Sequence, residues 1–125
     1  MSSIEPGRSA VHIEDDDITA ADFAACAAIS GEAPEAPLGI AFVIALRALL
    51  GSKLLPDGAM MLSHRVTWHE RPRPGRYRTE MTISEVDAPR TRYQRVVIAY
   101  RTTPDDDRHR SVITQEQEVL WPVIA

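Results

Sequence analysis

The alternation of polar and apolar positions changes period once along this chain. After residue 59 it runs at two residues, the signature of half-buried strands. Met60 to His69 places Met60, Leu62, His64, Val66 and Trp68 on one face. Tyr77 to Ile83 sets Tyr77, Thr79, Met81 and Ile83 against Arg78, Glu80 and Thr82. Thr91 to Thr102 and Ser111 to Leu120 are β-branched segments parted by the turn cluster Pro104 to Asp107. The connections at 70–76, 86–90 and 103–110 are short enough for hairpins, so the second half predicts an antiparallel meander.

The first half reads differently. Ser9 to Ile13 predicts a short strand, and the acidic run Glu14 to Asp17 a solvated turn. A helix start follows. Thr19 is placed to cap, Asp22 to answer it three residues on, and Ile18 and Phe23 to close a hydrophobic staple across the cap. That helix runs through the alanines to Ser30 and stops at Gly31. After a proline-broken loop, Leu38 to Leu50 predicts a second helix closed by Gly51. It is apolar on every side except at Arg47, which predicts burial all round. One geometry satisfies both halves: an α+β fold in which a curved antiparallel sheet wraps a single long helix.

The 125 residues predict one domain, 1–125, with core enough to fold without staples. Hydrophobic residues at 44% and charged ones at 26% exclude wholesale disorder. No apolar run approaches the length needed to cross a bilayer, and the start lacks the apolar stretch of a secretory signal. Cys26 is the one cysteine, which rules out an internal disulfide and fits a reducing cytoplasm. The net charge of −4 argues against nucleic acid as a partner. Arginine outnumbers lysine thirteen to one, with clusters at Arg65, Arg71, Arg73, Arg76 and Arg78 and at Arg90, Arg92, Arg95 and Arg101. Interleaved acids make these a solvated sheet face; the alternative is a site for a phosphorylated carrier such as coenzyme A.

Ile18-Thr-Ala-Ala-Asp-Phe-Ala-Ala-Cys-Ala-Ala-Ile-Ser-Gly31 resembles the helix that leads into the active-site loop of MaoC-like hydratases and dehydratases, members of the hot-dog fold. Val66-Thr-Trp-His-Glu-Arg-Pro-Arg-Pro-Gly75 is similar to that family's aromatic-then-Pro-x-Pro-Gly segment, with Trp68 to Pro72 one residue longer. The resemblance spans about residues 10–120. It implies a hot-dog fold and the reversible hydration of a 2-enoyl thioester, in which an Asp and a His five residues apart activate one water. A backbone N–H at the start of the central helix then receives the thioester carbonyl.

This sequence departs from that pattern at the chemistry. Ser30-Gly-Glu-Ala-Pro-Glu-Ala-Pro37 has Glu32 at the Asp position and Pro37 at the His position. The intervening overhanging segment is missing, and Leu38-Gly39 keeps only the glycine of the later His-Gly. The resemblance therefore implies a member without the catalytic dyad. Glu32, Glu35 and His64 are the candidate acid–base residues and Gly39 the candidate thioester-binding residue. Set against these roles, the glutamates read as helix-capping or loop residues and His64 as a core residue bonded to a backbone carbonyl. His12, His69 and His109 read as surface residues and Cys26 as packing. No phosphate loop, dinucleotide glycine pattern or metal-ligand spacing is present, so no cofactor and no metal are expected.

The expected function is a non-catalytic or accessory subunit of an acyl-thioester hydratase or dehydratase. Its expected ligand is an acyl-CoA or acyl carrier protein thioester, and its expected state a homo- or heterodimer with another hot-dog subunit, with neither nucleic acid nor membrane as partner. Any hydratase activity is expected only beside a dyad-bearing partner. Two alternatives stand: a thioesterase or dehydratase using Glu32 or Glu35 with the Gly39 N–H, and a purely structural dimer.

Overall fold

A computed structural model of the chain describes residues 10–31, 39–87 and 92–123. Its elements run β1 (His12–Ile18), α1 (Ala20–Ser30), α2 (Gly39–Ser52), β2 (Met60–Trp68), β3 (Gly75–Val86), β4 (Tyr93–Pro104) and β5 (Ile113–Pro122). The five strands make one antiparallel sheet in the order β1-β3-β4-β5-β2, with both helices on its inner side.

The local signals around α1 hold. Thr19 accepts from the Asp22 backbone N–H, Asp22 accepts from the Thr19 N–H, and Gly31 ends the helix in the left-handed conformation at φ 76. Ile18 and Phe23 are buried on either side of the cap, in one cluster with Ile40, Ala41 and Ile44 of α2 and Val112 and Ile113 beside and on β5. A second cluster joins Ala45, Ala48 and Leu49 to Met81, Ile83, Val96, Ile98, Tyr100, Val119 and Trp121. The inner face forms by alternation along β5 and most of β3, as the two-residue period requires, while the central β4 is buried more continuously, with Val96, Val97 and Ile98 all covered.

Four expectations need correction. The acidic run is not a turn: β1 extends through Asp17 to Ile18 and lies along β3. Arginines make this possible, because Arg78 on β3 forks Asp15 while Arg47 on α2 holds both Asp16 and Asp22. Gly51 does not close α2, which continues to Ser52 before Lys53 turns left-handed at φ 58. Gly51 instead faces β1, where the Glu14 carboxylate would have to shift to admit a Cβ.

The connection 69–74 is not a hairpin, because β2 pairs with β5 at one edge of the sheet while β3 lies three strand spacings away. Six residues cover that span of about 14 Å in extended form, which Pro72 and Pro74 favour. Finally, α2 is not buried all round. Ile40, Ala41, Ile44, Ala45, Ala48 and Leu49 are covered, whereas Phe42 and Leu46 are each 40% exposed and Leu50 is 59% exposed. One sheet and one short helix can cover only one side of it.

Candidate functional site

The polar chemistry of the inner face gathers where β4, β5 and β2 meet. Gln115 and Gln117 point inward from β5 among Ile113, Val119 and Trp121, and both are buried. Register places Gln117 opposite His64 on β2 and Ile98 on β4, and Gln115 opposite Val66 and Tyr100. The four polar side chains form a chain of hydrogen bonds. The Tyr100 hydroxyl donates to Gln117 Oε1 at 2.6 Å, and Gln117 Nε2 donates to His64 Nδ1 at 3.1 Å. With Nδ1 accepting, the proton of the neutral ring sits on Nε2, which donates to Gln115 Oε1 at 2.7 Å. The chain ends at Gln115 Nε2, a buried donor without a hydrogen-bond partner among the described residues. Burial holds the Tyr100 phenol well above the usual tyrosine range, so the hydroxyl keeps the proton it donates to Gln117.

Helix α2 covers this chain with its first turns. Ile40, Ala41 and Ile44 pack with Ile113, Val66 and Trp68, and the Phe42 ring lies 5.1 Å from that of His64. Gly39 is the first residue of the helix, so its N–H has no intrahelical acceptor. A Cβ placed on Gly39 would meet nothing within 4 Å among the described residues. Further along, Arg47 fixes the helix to β1 through Asp16 and to the α1 cap through Asp22.

Of the candidates, Glu32 and Glu35 lie outside the described residues. Gly39 stands at the helix start, as expected. His64 does face the core side, but its partners are glutamine side chains rather than the backbone carbonyl anticipated for it. Both ring nitrogens are therefore engaged, and neither contact is a carboxylate. His12 is half-buried on Glu14, His69 meets the Thr114 hydroxyl, and His109 is exposed. Cys26 packs against the cluster around Phe23. Among the described residues no group of three His, Cys, Asp or Glu side chains converges to hold a metal. None of their helices is long and apolar enough to cross a membrane.

Several arginines outside the inner face form ion pairs: Arg78 with Asp15, Arg95 with Glu118 and Asp87, Arg110 with Glu70. A shallow depression of about 290 Å³ there, floored by Ala99, carries Arg65 and Arg101 but also Glu80 and Glu116. Balanced charge of this kind does not select an anion, which favours the solvated-face reading over a phosphate site. Gln115, Gln117 and Tyr100 were not among the sequence candidates. Their signal was available, since two glutamines fall in phase with Ile113, Val119 and Trp121 on a face that should be apolar.

No protein-family model matches the chain, and no curated protein matches it. Solved structures do. The MaoC-like dehydratase from Rhodospirillum rubrum aligns with a TM-score of 0.68 at 18% identity, over 91% of this chain and 92% of that one. The HadBC (3R-hydroxyacyl-ACP dehydratase) complex from Mycobacterium tuberculosis aligns at 0.67 and 17%, over 86% and 90%. The (R)-hydratase of A. caviae involved in PHA biosynthesis aligns at 0.64 and 21%, over 98% and 100%. The chain has the hot-dog fold that these proteins share.

Proposed function

We propose that this chain is the non-catalytic half of a hot-dog hydratase or dehydratase, one that binds or shapes an acyl-thioester site completed by a dyad-bearing partner. The observation that carries the reading is the engagement of His64. It is the histidine that packs beneath α2, and both of its nitrogens are held by glutamines. A general base needs a free nitrogen within reach of a water and a group to stabilise the charge it acquires. The segment that leads into α2 supplies no second histidine, since residues 32–38 contain none.

The pairing half of the proposal rests on uncovered apolar surface. Phe42, Leu46 and Leu50 recur at four-residue spacing along one side of α2, and Met60, Met61 and Leu62 are exposed at the start of the edge strand β2. The opposite edge, β1, carries Glu14 to Asp17, the kind of charge that discourages strand addition. The two edges are thus unequal, and β2 is the one open to a second sheet. The fold it shares with a complex named HadBC supports a heteromeric partner.

The experiment is reconstitution. The chain is expressed with a hot-dog subunit that carries the Asp and His, and crotonyl-CoA hydration is compared for each subunit and for the pair. The proposal expects a stable pair whose turnover survives Glu32→Gln in this chain. Pairing that fails, or turnover that Glu32→Gln in this chain removes, contradicts it.

A further inference from the structure

Four charged side chains cross the outer face of the sheet in alternating sign. Glu80 on β3, Arg101 on β4, Glu116 on β5 and Arg65 on β2 stand on adjacent strands, each between two inward-facing neighbours. Register sets Glu80 directly opposite Arg101, and Glu116 directly opposite Arg65. Neither couple closes an ion pair among the described residues. Arg101 instead donates to the Ser111 hydroxyl at 2.7 Å and to the Arg108 carbonyl at 3.3 Å. These bonds use Nε and Nη1, and Nη2 stays open among the described residues. The flanking rows behave differently, since Arg95 is bonded to Glu118 at 2.5 Å and Arg78 to Asp15 at 2.8 Å. Between the two open couples lie the short side chains of Ala99 and Thr114, which line the shallow depression of about 290 Å³.

We infer that this face is a docking surface for a second copy of the chain, joined about a two-fold axis that runs between β4 and β5. Such an axis lays the charge order on its own reverse. Read from β3 to β2 the order is acid, base, acid, base, and the opposing copy presents base, acid, base, acid. Arg101 then faces Glu116 of the other copy and Glu80 faces its Arg65, and symmetry makes each contact twice. Ala99 and Thr114 fall beside the axis and meet their own counterparts, where short side chains let the two sheets approach. A face of one sign, or one whose pairs were already closed, would have no such preference for itself. Arginine suits the role, because its flat guanidinium is weakly hydrated and can bond a carboxylate through two N–H groups. The surface is separate from the α2 stripe and the β2 edge. It therefore doubles whatever pair forms there, and it does not depend on the acyl-thioester reading.

The test follows the sedimentation of the full-length chain, of Arg101→Glu, of Glu116→Arg, and of the two variants mixed in equal amounts. Protein is raised to about 1 mM, where even weak specific contacts register. Pairing through α2 and β2 is common to all of these samples, so a difference among them reports the outer face. The inference expects the wild-type chain to gain a further doubling that weakens as salt is raised. Each variant alone should associate through that step about 10-fold or more weakly, because the reversal opposes like charges twice across the axis. The mixture should recover the step, since two acids on one chain then face two bases on the other. Both variants remain net negative, so bulk attraction cannot supply the recovery. Thermal melts check that each variant folds, and the same exchange at Glu80 and Arg65 repeats the test on the flanking contacts. A wild-type chain without the further doubling, or a mixture that associates no better than its components, overturns the inference.

Discussion

At the residue scale, the two buried glutamine environments make opposite claims. Gln117 is fully used between Tyr100 and His64, so removing the phenol hydroxyl leaves a buried acceptor short of a donor. Tyr100→Phe is expected to cost about 1–2 kcal/mol in a urea titration with unchanged slope. Gln94 is buried near the other end of β4, beside Trp121, and neither its Oε1 nor its Nε2 has a partner among the described residues. Gln94→Leu is accordingly expected to raise stability by about 1 kcal/mol or more, because it removes polar atoms whose desolvation nothing offsets. A loss of stability in that variant would mean the carboxamide is bonded after all. Neither residue stands out as a motif. His64 meets its two partners 51 and 53 positions downstream, so its setting could be read only from strand register, not from its neighbours in sequence.

At the scale of elements, legibility followed the range of the interactions. The α1 cap, its staple and its glycine stop depend on contacts within a few residues, and each is present as the sequence predicts. The strands were legible from their period, but their order was not. Alternation says which face a residue takes and nothing about which strand lies beside it, and so a meander pairs β2 with β3 where the sheet pairs it with β5. The extension of β1 through its acidic residues is illegible for a related reason, since the arginines that neutralise it lie on α2 and β3.

Asp22 joins both kinds of information. The Thr19 N–H and Arg47 hold its carboxyl below the usual 3.8. A carboxylate with a depressed folded pKa stabilises the fold above the unfolded value and loses that contribution as pH falls through the folded one. Asp22→Asn should therefore cost about 1 kcal/mol at neutral pH and flatten the decline of stability below about pH 4. An unchanged acid limb in thermal melts would remove Asp22 from that role.

At the scale of the whole molecule, α2 explains why a correct pattern gave a partly wrong expectation. Its sequence is apolar all round, yet the described chain covers only the side that carries Ile40, Ala41, Ile44, Ala45, Ala48 and Leu49. The remaining stripe of Phe42, Leu46 and Leu50 is exposed, and under the proposed pairing it is the surface for a second subunit. Leu46→Glu is expected to leave the melting temperature of the isolated chain within about 3 °C, since the position is already exposed, while shifting sedimentation toward monomer. Unaltered association in that variant would move the partner surface elsewhere.

The central claim is that this hot-dog chain has no acid–base machinery of its own. Crotonyl-CoA hydration by the purified protein alone tests it most directly. A positioned acid–base group contributes about 10²–10⁴-fold, and a chain whose inward histidine is held by Gln115 and Gln117 is predicted to show no hydration above the uncatalysed rate. Rapid turnover by the isolated chain, lost on His64→Ala or Glu32→Gln, would contradict the account and make those residues its catalysts.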